Sequence, residues 1–456
     1  MTTATLSEPR TGLPPGPEEA VLPATVRFGR DPLRVLADCK RIYGDVFTLR
    51  LAFAGEAVVI AEPAAVTELL DADPGRAEAG EGRRAVLPMA SPRSVLGGDG
   101  EVHQGARARL AATFTAAAMA EREEGLAAIA ERHVASWPRR RPLQLLSRMR
   151  TLVDDVFVRL LLGVEDDARA ERLVDVLGAM LRVPGNPPLA PPREEEGPLG
   201  AGVAAMFERR RAPLRRELAA EIESRPAGGR GDGDVIDCLL GAEPRPSIEA
   251  MLDEIETLLM AAQEPPSIAL TWMLDVLARH PELAADYLEA EPGSPLREAV
   301  LSESLRLRPS ALAVLRRLCE PMQVGEYELP VGTNTMVPLP LIHRDPRFFD
   351  RPEIFQPERW FGAETPPPVY LPFGGGARRC LGEAVARTEA AAIVPTVLRA
   401  LRLTPLWPRR ERMVLRGTVL VPHRSVPMLA SDRARFARGS GGVTASNRIS
   451  QSKDSQ

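Results

Sequence analysis

Lysine is almost missing from this chain: Lys40 and Lys453 are the only two among 58 basic residues. Any anion site must therefore be built from arginine, whose planar guanidinium offers a fixed fork of donors. Aromatic residues are scarce at 4%, while Ala and Leu are plentiful, which favours helix over sheet. The four cysteines, Cys39, Cys238, Cys319 and Cys380, lie far apart with no Cys-x-x-Cys pair. That argues against a zinc site and against a disulfide framework. No stretch supplies the ~20 apolar residues of a membrane helix, and the N-terminal residues contain no apolar run. The expectation is a soluble cytoplasmic protein with no signal peptide or membrane anchor. A net charge of -4 lacks the basic excess of a nucleic-acid binder.

What is present is a chain of 456 residues, 44% of them hydrophobic, long enough for a large core. Forty-four prolines predict frequent breaks between helices. Helical spacing of apolar residues recurs over 32–43, 64–72, 103–135, 144–163, 166–182, 200–224, 247–280 and 295–308. A last helix is expected from about 380 to 401. Strand-like runs lie at 46–51, 57–61, 312–318, 323–329 and 334–338. Loops are expected at 75–100, at the Pro-rich 184–192 and over 362–379. The reading is a mainly α fold with a minor β part. It forms one domain over 1–430, with a flexible Pro-rich start at 1–20 and a disordered polar tail at 431–456.

One loop carries chemistry: Phe373-Gly-Gly-Gly-Ala-Arg-Arg-Cys380-Leu-Gly382. Glycines allow backbone conformations closed to other residues and a close approach to a flat ligand. A cysteine where a loop becomes a helix sits in partial positive charge, which favours the thiolate, and Arg378 and Arg379 add to it. A thiolate suits a soft or borderline metal. Taken alone, the loop is equally a Gly-rich turn before a helix with an inert buried cysteine. A phosphate loop is disfavoured because no Gly-Lys-Ser/Thr follows.

The stretch resembles the heme-binding signature of the cytochrome P450 family, Phe-x-x-Gly-x-Arg-x-Cys-x-Gly, at Phe373, Gly376, Arg378, Cys380 and Gly382, and Ala386 matches the small residue beyond it. The resemblance implies the cytochrome P450 fold and a heme b cofactor (iron protoporphyrin IX). Cys380 would be the axial iron ligand, Arg378 a propionate contact, and Phe373 a neighbour of the thiolate, with Gly382 completing the loop. Thiolate ligation pushes electron density to iron and favours O–O cleavage. Further matches follow in family order. Glu303-Ser-Leu-Arg306 resembles the family's Glu-x-x-Arg, and Arg359 in Pro-Glu-Arg359 completes an implied buried triad with a folding and heme-retention role. Gly100-Glu-Val-His103-Gln-Gly-Ala-Arg107 resembles its His-x-x-x-Arg, which makes His103 and Arg107 propionate donors. Arg316, or else Arg317, is implied to meet a propionate, and His343-Arg-Asp-Pro346 also fits the pattern. The resemblance covers about residues 13–430.

The chain departs from the family in the central helix. The usual pattern there is Ala-Gly-x-Asp/Glu-Thr. This chain has Ala261, Ala262 for Gly, Glu264 for the acid and Pro265 for Thr, followed by Pro266. The Thr normally holds water and helps deliver protons. Proline has no hydroxyl and no N–H, so the carbonyls of Ala261 and Ala262 lose helical partners and the helix is expected to open or kink. Two functions follow. One is a monooxygenase acting on a small apolar or biosynthetic intermediate, with protons delivered through Glu264, through water on the freed carbonyls, through a substrate hydroxyl or through Ser267. The other is a heme-thiolate enzyme without normal dioxygen activation: peroxide-driven oxidation, rearrangement or dehydration. A non-catalytic heme-binding protein is a third reading.

The resemblance places substrate contacts at 76–100, 183–200, 258–268, 309–315 and 417–421, where Val86, Leu87, Met89, Leu259, Leu312, Val314 and Val419 are apolar. Arg83, Arg84 and Arg93 either form a solvated loop or attract an acidic group, such as the phosphate of a carrier protein. No flavin or reductase domain fits in the chain, so separate ferredoxin and ferredoxin reductase are the expected electron donors. Arg378 and Arg379 would offer an acidic ferredoxin a basic face. A bacterial secondary-metabolite tailoring role is the expected setting.

Overall fold

The computed structural model describes residues 10–52, 55–72, 75–84, 90–181, 198–362 and 365–433. A central helix, Ile248–Arg279, threads the molecule. Its start is set by Ser247, whose hydroxyl accepts from Ala250 N–H and satisfies one free amide of the first turn. Its apolar residues fall on more than one side, among them Ile255, Leu259, Ile268 and Leu274, so it is buried over most of its length apart from the stretch around Ala261 to Pro266. The helices Leu145–Val156, Pro198–Glu223, Pro295–Leu307 and Glu383–Ala400 pack around it.

The β part sits to one side. A five-stranded sheet runs in the order Val46–Leu51, Gly55–Ile60, Asn334–Pro338, Ala313–Leu318, Ala77–Glu78. Only the pairing of Gly55–Ile60 with Asn334–Pro338 is parallel. In Ala313–Leu318 burial alternates, so Val314, Arg316 and Leu318 face inward while Arg317 faces out. A three-stranded sheet joins Leu401–Pro405, Pro427–Asp432 and Pro142–Gln144.

Several boundaries differ from the sequence reading. The run over 103–135 is three helices, Gly100–Leu110, Ala116–Ala120 and Glu123–Ser136, separated by turns. The loop at 75–100 contains the short helix Gly80–Arg84. Ser431 and Asp432, assigned to the tail, pair with Arg402 and Leu401 in a sheet. Residues 434–456 and 182–197 lie outside the described residues. The central helix does not open at Pro265 and Pro266 but continues as one helix through both. No helix among the described residues is long and apolar enough to cross a membrane.

Candidate active site

The cysteine loop is shaped by its backbone. Cys380 N–H donates to Phe373 O at 2.8 Å and Arg379 N–H to Gly376 O at 3.0 Å, which folds the loop back on itself. Gly376 has φ +61°, and a Cβ there would stand 1.8 Å from Leu70 O, so only glycine fits. The final helix begins at Glu383 with Gly382 as its N-cap, so Cys380 precedes it rather than opening it. The Cys380 side chain is exposed, yet protein surrounds it closely enough that burial raises its pKa, helped by Glu383 and opposed by Gly382 N–H, Arg107 and Arg83. Both facts hold if it faces an internal recess. Arg107 and Arg83 are cations that favour the thiolate, while the expected Arg378 and Arg379 are each paired with a carboxylate. Arg378 pairs with Asp99, and Arg379 pairs with Glu383 at 2.7 Å. Phe373 packs against the core and carries the Arg387 guanidinium over its ring, 5.5 Å from the ring centre.

Beside this loop lies a concentration of positive charge. His103 and Arg107 sit on Gly100–Leu110. His103 Nε2 meets Ala377 O at 3.4 Å, and Arg107 donates to Arg379 O at 2.8 Å. Arg316 is 4% exposed and bonds only its neighbour's carbonyl, Leu315 O, with no carboxylate at ion-pair distance among the described residues. Burial, then Arg83 and Arg378, lower its pKa to about 9. Burial and Arg378 lower that of Arg83 to about 10. Burial, Arg378 and Arg107 lower His103 to about 4. Arg378 Nη1 and His103 Nδ1 are buried without a partner. Asp99 is the one carboxylate that recurs among the groups acting on Arg83, His103 and Arg316. Buried cations this poorly compensated suit an anionic ligand. Together with a cysteine in a recess, the donor set fits a flat, dianionic, metal-bearing group such as heme. Arg317, the alternative to Arg316, instead faces Glu81 at 3.4 Å. Arg83, left by the sequence as part of a solvated loop or a site for an acidic group, joins this cluster, because a Gly- and Arg-rich loop looks solvated until its helical turn is seen.

Glu303 and Arg306 are both 0% exposed and pair through two bonds of 2.8 Å. Arg359 Nε reaches Glu303 at 3.1 Å, and Trp360 Nε1 and Gln356 N–H also donate to it. Arg306 further donates to His343 O and Pro352 O. The structure thus brings Glu303, Arg306 and Arg359 together, and Trp360 is an added member. His343 is buried and accepts Leu371 N–H at 2.9 Å, which ties this network to the chain leading into the cysteine loop.

On the central helix, Ala261 is exposed and Ala262, Pro265 and Pro266 are half-buried. Glu264 does not stand free: Arg150 of Leu145–Val156 grips both its oxygens at 2.8 Å. One residue earlier, Gln263 donates to Asp154 at 2.7 and 2.9 Å. Ser267 is fully buried and its hydroxyl donates to Gln263 O at 2.6 Å. Its hydroxyl proton is thus directed into the helix, at the Gln263 carbonyl.

Of the expected substrate-contacting residues, Leu259, Leu312 and Val314 are buried core. Val419 lies in the hairpin strand Val419–Pro422 and bridges to Ala311. Val86, Leu87 and Met89 lie outside the described residues, as does the side chain of Arg84. Arg93 pairs with Asp253, while its side chain stays 59% exposed to solvent.

Residues 14–427 match the family model described as Cytochrome P450. The protein named cytochrome P450 135B1 of Mycobacterium tuberculosis is 32% identical over 427 residues, covering 91% of this chain and 90% of the relative. The one named cytochrome P450 135A1 from the same species is 31% identical over 432 residues, covering 90% and 94%. Among solved structures, CYP175A1 of Thermus thermophilus superposes with a TM-score of 0.72 at 27% identity, covering 93% of this chain and 100% of that one. Retinoic acid bound cyanobacterial CYP120A1 gives a TM-score of 0.77 at 22% identity, covering 94% and 100%, a likeness of fold.

Proposed function

The chain belongs to the cytochrome P450 family of heme-thiolate oxidoreductases, and from that premise we propose that it is a monooxygenase of small apolar molecules with rebuilt proton delivery. The cofactor in this reading is heme b, whose iron Cys380 would ligate. His103, Arg107, Arg316 and Arg378, joined by Arg83, hold the two propionates. Heme ligated through Cys380 supplies the oxidative chemistry. The observation that carries the assignment is the set of buried arginines around the cysteine loop with Asp99 as their recurring carboxylate.

The protein's own residues have defined tasks. Gly376 lets the loop close against Leu70, and Gly382 N–H hydrogen-bonds the Cys380 sulfur. Glu303, Arg306 and Arg359 hold the chain behind the loop. On the opposite side the usual Thr hydroxyl is replaced by Pro265. The carbonyls of Ala261 and Ala262 have no helical N–H to accept, because residues 265 and 266 are prolines. They are free to hold water, and Glu264, two residues on from Ala262 and anchored by Arg150, would relay a proton to that water. Separate ferredoxin and ferredoxin reductase supply electrons, in the cytoplasm, and secondary-metabolite tailoring is the setting. The substrate is small and apolar, free or carried on a carrier protein.

Two experiments test this reading. The reduced, CO-bound protein is expected to show the red-shifted Soret band of thiolate ligation, and Cys380→Ala to abolish it. Oxidation of a panel of small apolar substrates is then compared with NADPH, ferredoxin reductase and ferredoxin, or with hydrogen peroxide alone. Turnover with the electron-transfer chain supports the monooxygenase. Turnover with peroxide only selects the alternative, a heme-thiolate enzyme that bypasses dioxygen activation, which the loss of the Thr hydroxyl favours.

A further inference from the structure

We propose that Asp99 is a positioning residue for the heme-propionate donors, acting through Arg83, His103 and Arg378, and that its carboxylate thereby sets heme retention and the reduction potential of the bound heme. The inference rests on the propionate assignment made above.

Asp99 stands where three of the donor-bearing segments meet. Its Oδ1 accepts Ala79 N–H at 3.1 Å and Gly80 N–H at 2.7 Å, and its Oδ2 accepts Glu81 N–H at 3.1 Å. These are the first amides of the turn that carries Arg83. Amides at the start of a helical turn have no internal partner, so this carboxylate fixes the turn and the base of the Arg83 side chain. The same Oδ1 binds Arg378 Nη2, which also donates to Gly98 O at 2.8 Å. Arg378 Nη1 is left buried and unpartnered. Held by one edge, the guanidinium keeps its other donors available for a second anion, and its plane is fixed. Finally, Asp99 is the N-cap of Gly100–Leu110, and its carbonyl accepts His103 N–H at 3.4 Å.

The fit around Asp99 is tight. A Cβ on Gly80 would lie 2.4 Å from Asp99 Oδ2 and 2.5 Å from Gly97 O. The carboxylate therefore occupies the place that a side chain at position 80 would need. It is also the one anion that recurs among the groups acting on Arg83, His103, Arg316 and Arg378. Removing its charge leaves those cations less balanced, and removing its geometry releases the turn of Arg83. Both effects weaken the hold on a dianionic ligand, and loss of a nearby negative charge favours the reduced, less positive iron.

The test uses the heme-loaded protein. Heme transfer to excess apomyoglobin gives the dissociation rate, and a dye-coupled titration gives the potential. Asp99→Asn is expected to speed heme loss by about tenfold or more and to shift the potential upward. Gly80→Ala keeps the charge but displaces the carboxylate, and is expected to speed heme loss as well. It carries the test alone if Asp99→Asn does not fold. Arg83→Gln and the Asp99→Asn/Arg83→Gln double variant close a cycle. Because part of the effect of Asp99 passes through Arg83, the double variant is expected to lose heme less fast than the product of the two single effects predicts. Dissociation rates and potential equal to wild type, or strictly additive effects in the cycle, overturn the role of Asp99. A wild-type protein that takes up no heme with thiolate ligation overturns the underlying site assignment instead.

Discussion

At the scale of single residues, charge placement decides stability. Glu303 is buried, which works against its charge, but Arg306, Gln356 N–H and Arg359 hold its carboxyl below the ordinary value. Glu303→Gln leaves Arg306 buried and unpaired, with an expected loss of ~3–5 kcal/mol, read by urea unfolding together with heme content. A group with a depressed pKa stabilises the fold above its unfolded value. This contribution is therefore present at neutral pH and lost as pH falls through the carboxylate range. Glu389 behaves oppositely. It is 2% exposed, its Oε2 has no partner, and burial raises its pKa to about 8. The folded protein keeps this proton after the unfolded chain has released it, so stability falls as pH rises from about 4.5 to about 8. Glu389→Gln is expected to flatten that fall. Melting temperatures of both proteins at pH 6 to 9, about the range of ordinary buffers, check it, and parallel curves would refute the assignment.

At the scale of elements, the central helix and Leu145–Val156 form a clamp. Arg150 and Asp154 are one helical turn apart and bind the consecutive residues Glu264 and Gln263. The two rungs differ in energy. Gln263 is 4% exposed, so Asp154→Ala strands a buried amide and is expected to cost about 1–3 kcal/mol in thermal unfolding. The Arg150 and Glu264 side chains are 20% and 27% exposed, so water reaches both groups and partly compensates the loss of one partner, unlike at a fully buried pair. Arg150→Ala is therefore expected to fold normally while changing the fraction of NADPH that ends in product, which separates a role in turnover from a role in folding. This clamp also explains a limit of reading the sequence. Helical spacing located the long helix, and the loss of two N–H groups predicted an opening at Pro265. Cross-helix partners for Gln263 and Glu264, and burial of Ser267 and Ile268 just beyond, hold the helix together there, and none of these is local in sequence. The cysteine loop and the Glu303–Arg306 and His103–Arg107 pairs stand out in the sequence as compact motifs, whereas Arg359, far downstream, joined Glu303 only through the family resemblance. The inward choice of Arg316 over Arg317 needed the strand's alternation. The place of Arg83 needed the fold.

At the scale of the whole molecule, the site works against the fold that builds it. Arg83, Arg107, Arg316 and Arg378 come from a short helical turn, a helix, a strand and a loop that are distant in sequence, and packing of the core brings them together. Arg316 shows the conflict most clearly: it is 4% exposed, bonds one backbone carbonyl and has its pKa lowered by burial and by neighbouring arginines. Burying a cation without an anion is unfavourable, so the heme-free protein carries a strain that a propionate would relieve in the proposed site. A ligand that binds only the folded state adds RT ln(1 + [L]/Kd) to stability, about 4 kcal/mol at a thousandfold excess over Kd. Replacement of Arg316 by Gln should then act with opposite signs on the two forms. In heme-free protein Arg316→Gln removes an uncompensated charge and raises the unfolding midpoint. In heme-loaded protein it removes a propionate donor and lowers the midpoint. Calorimetry of both forms measures the two shifts. A midpoint that falls in both would mean that Arg316 is an ordinary structural residue whose charge is already balanced within the fold.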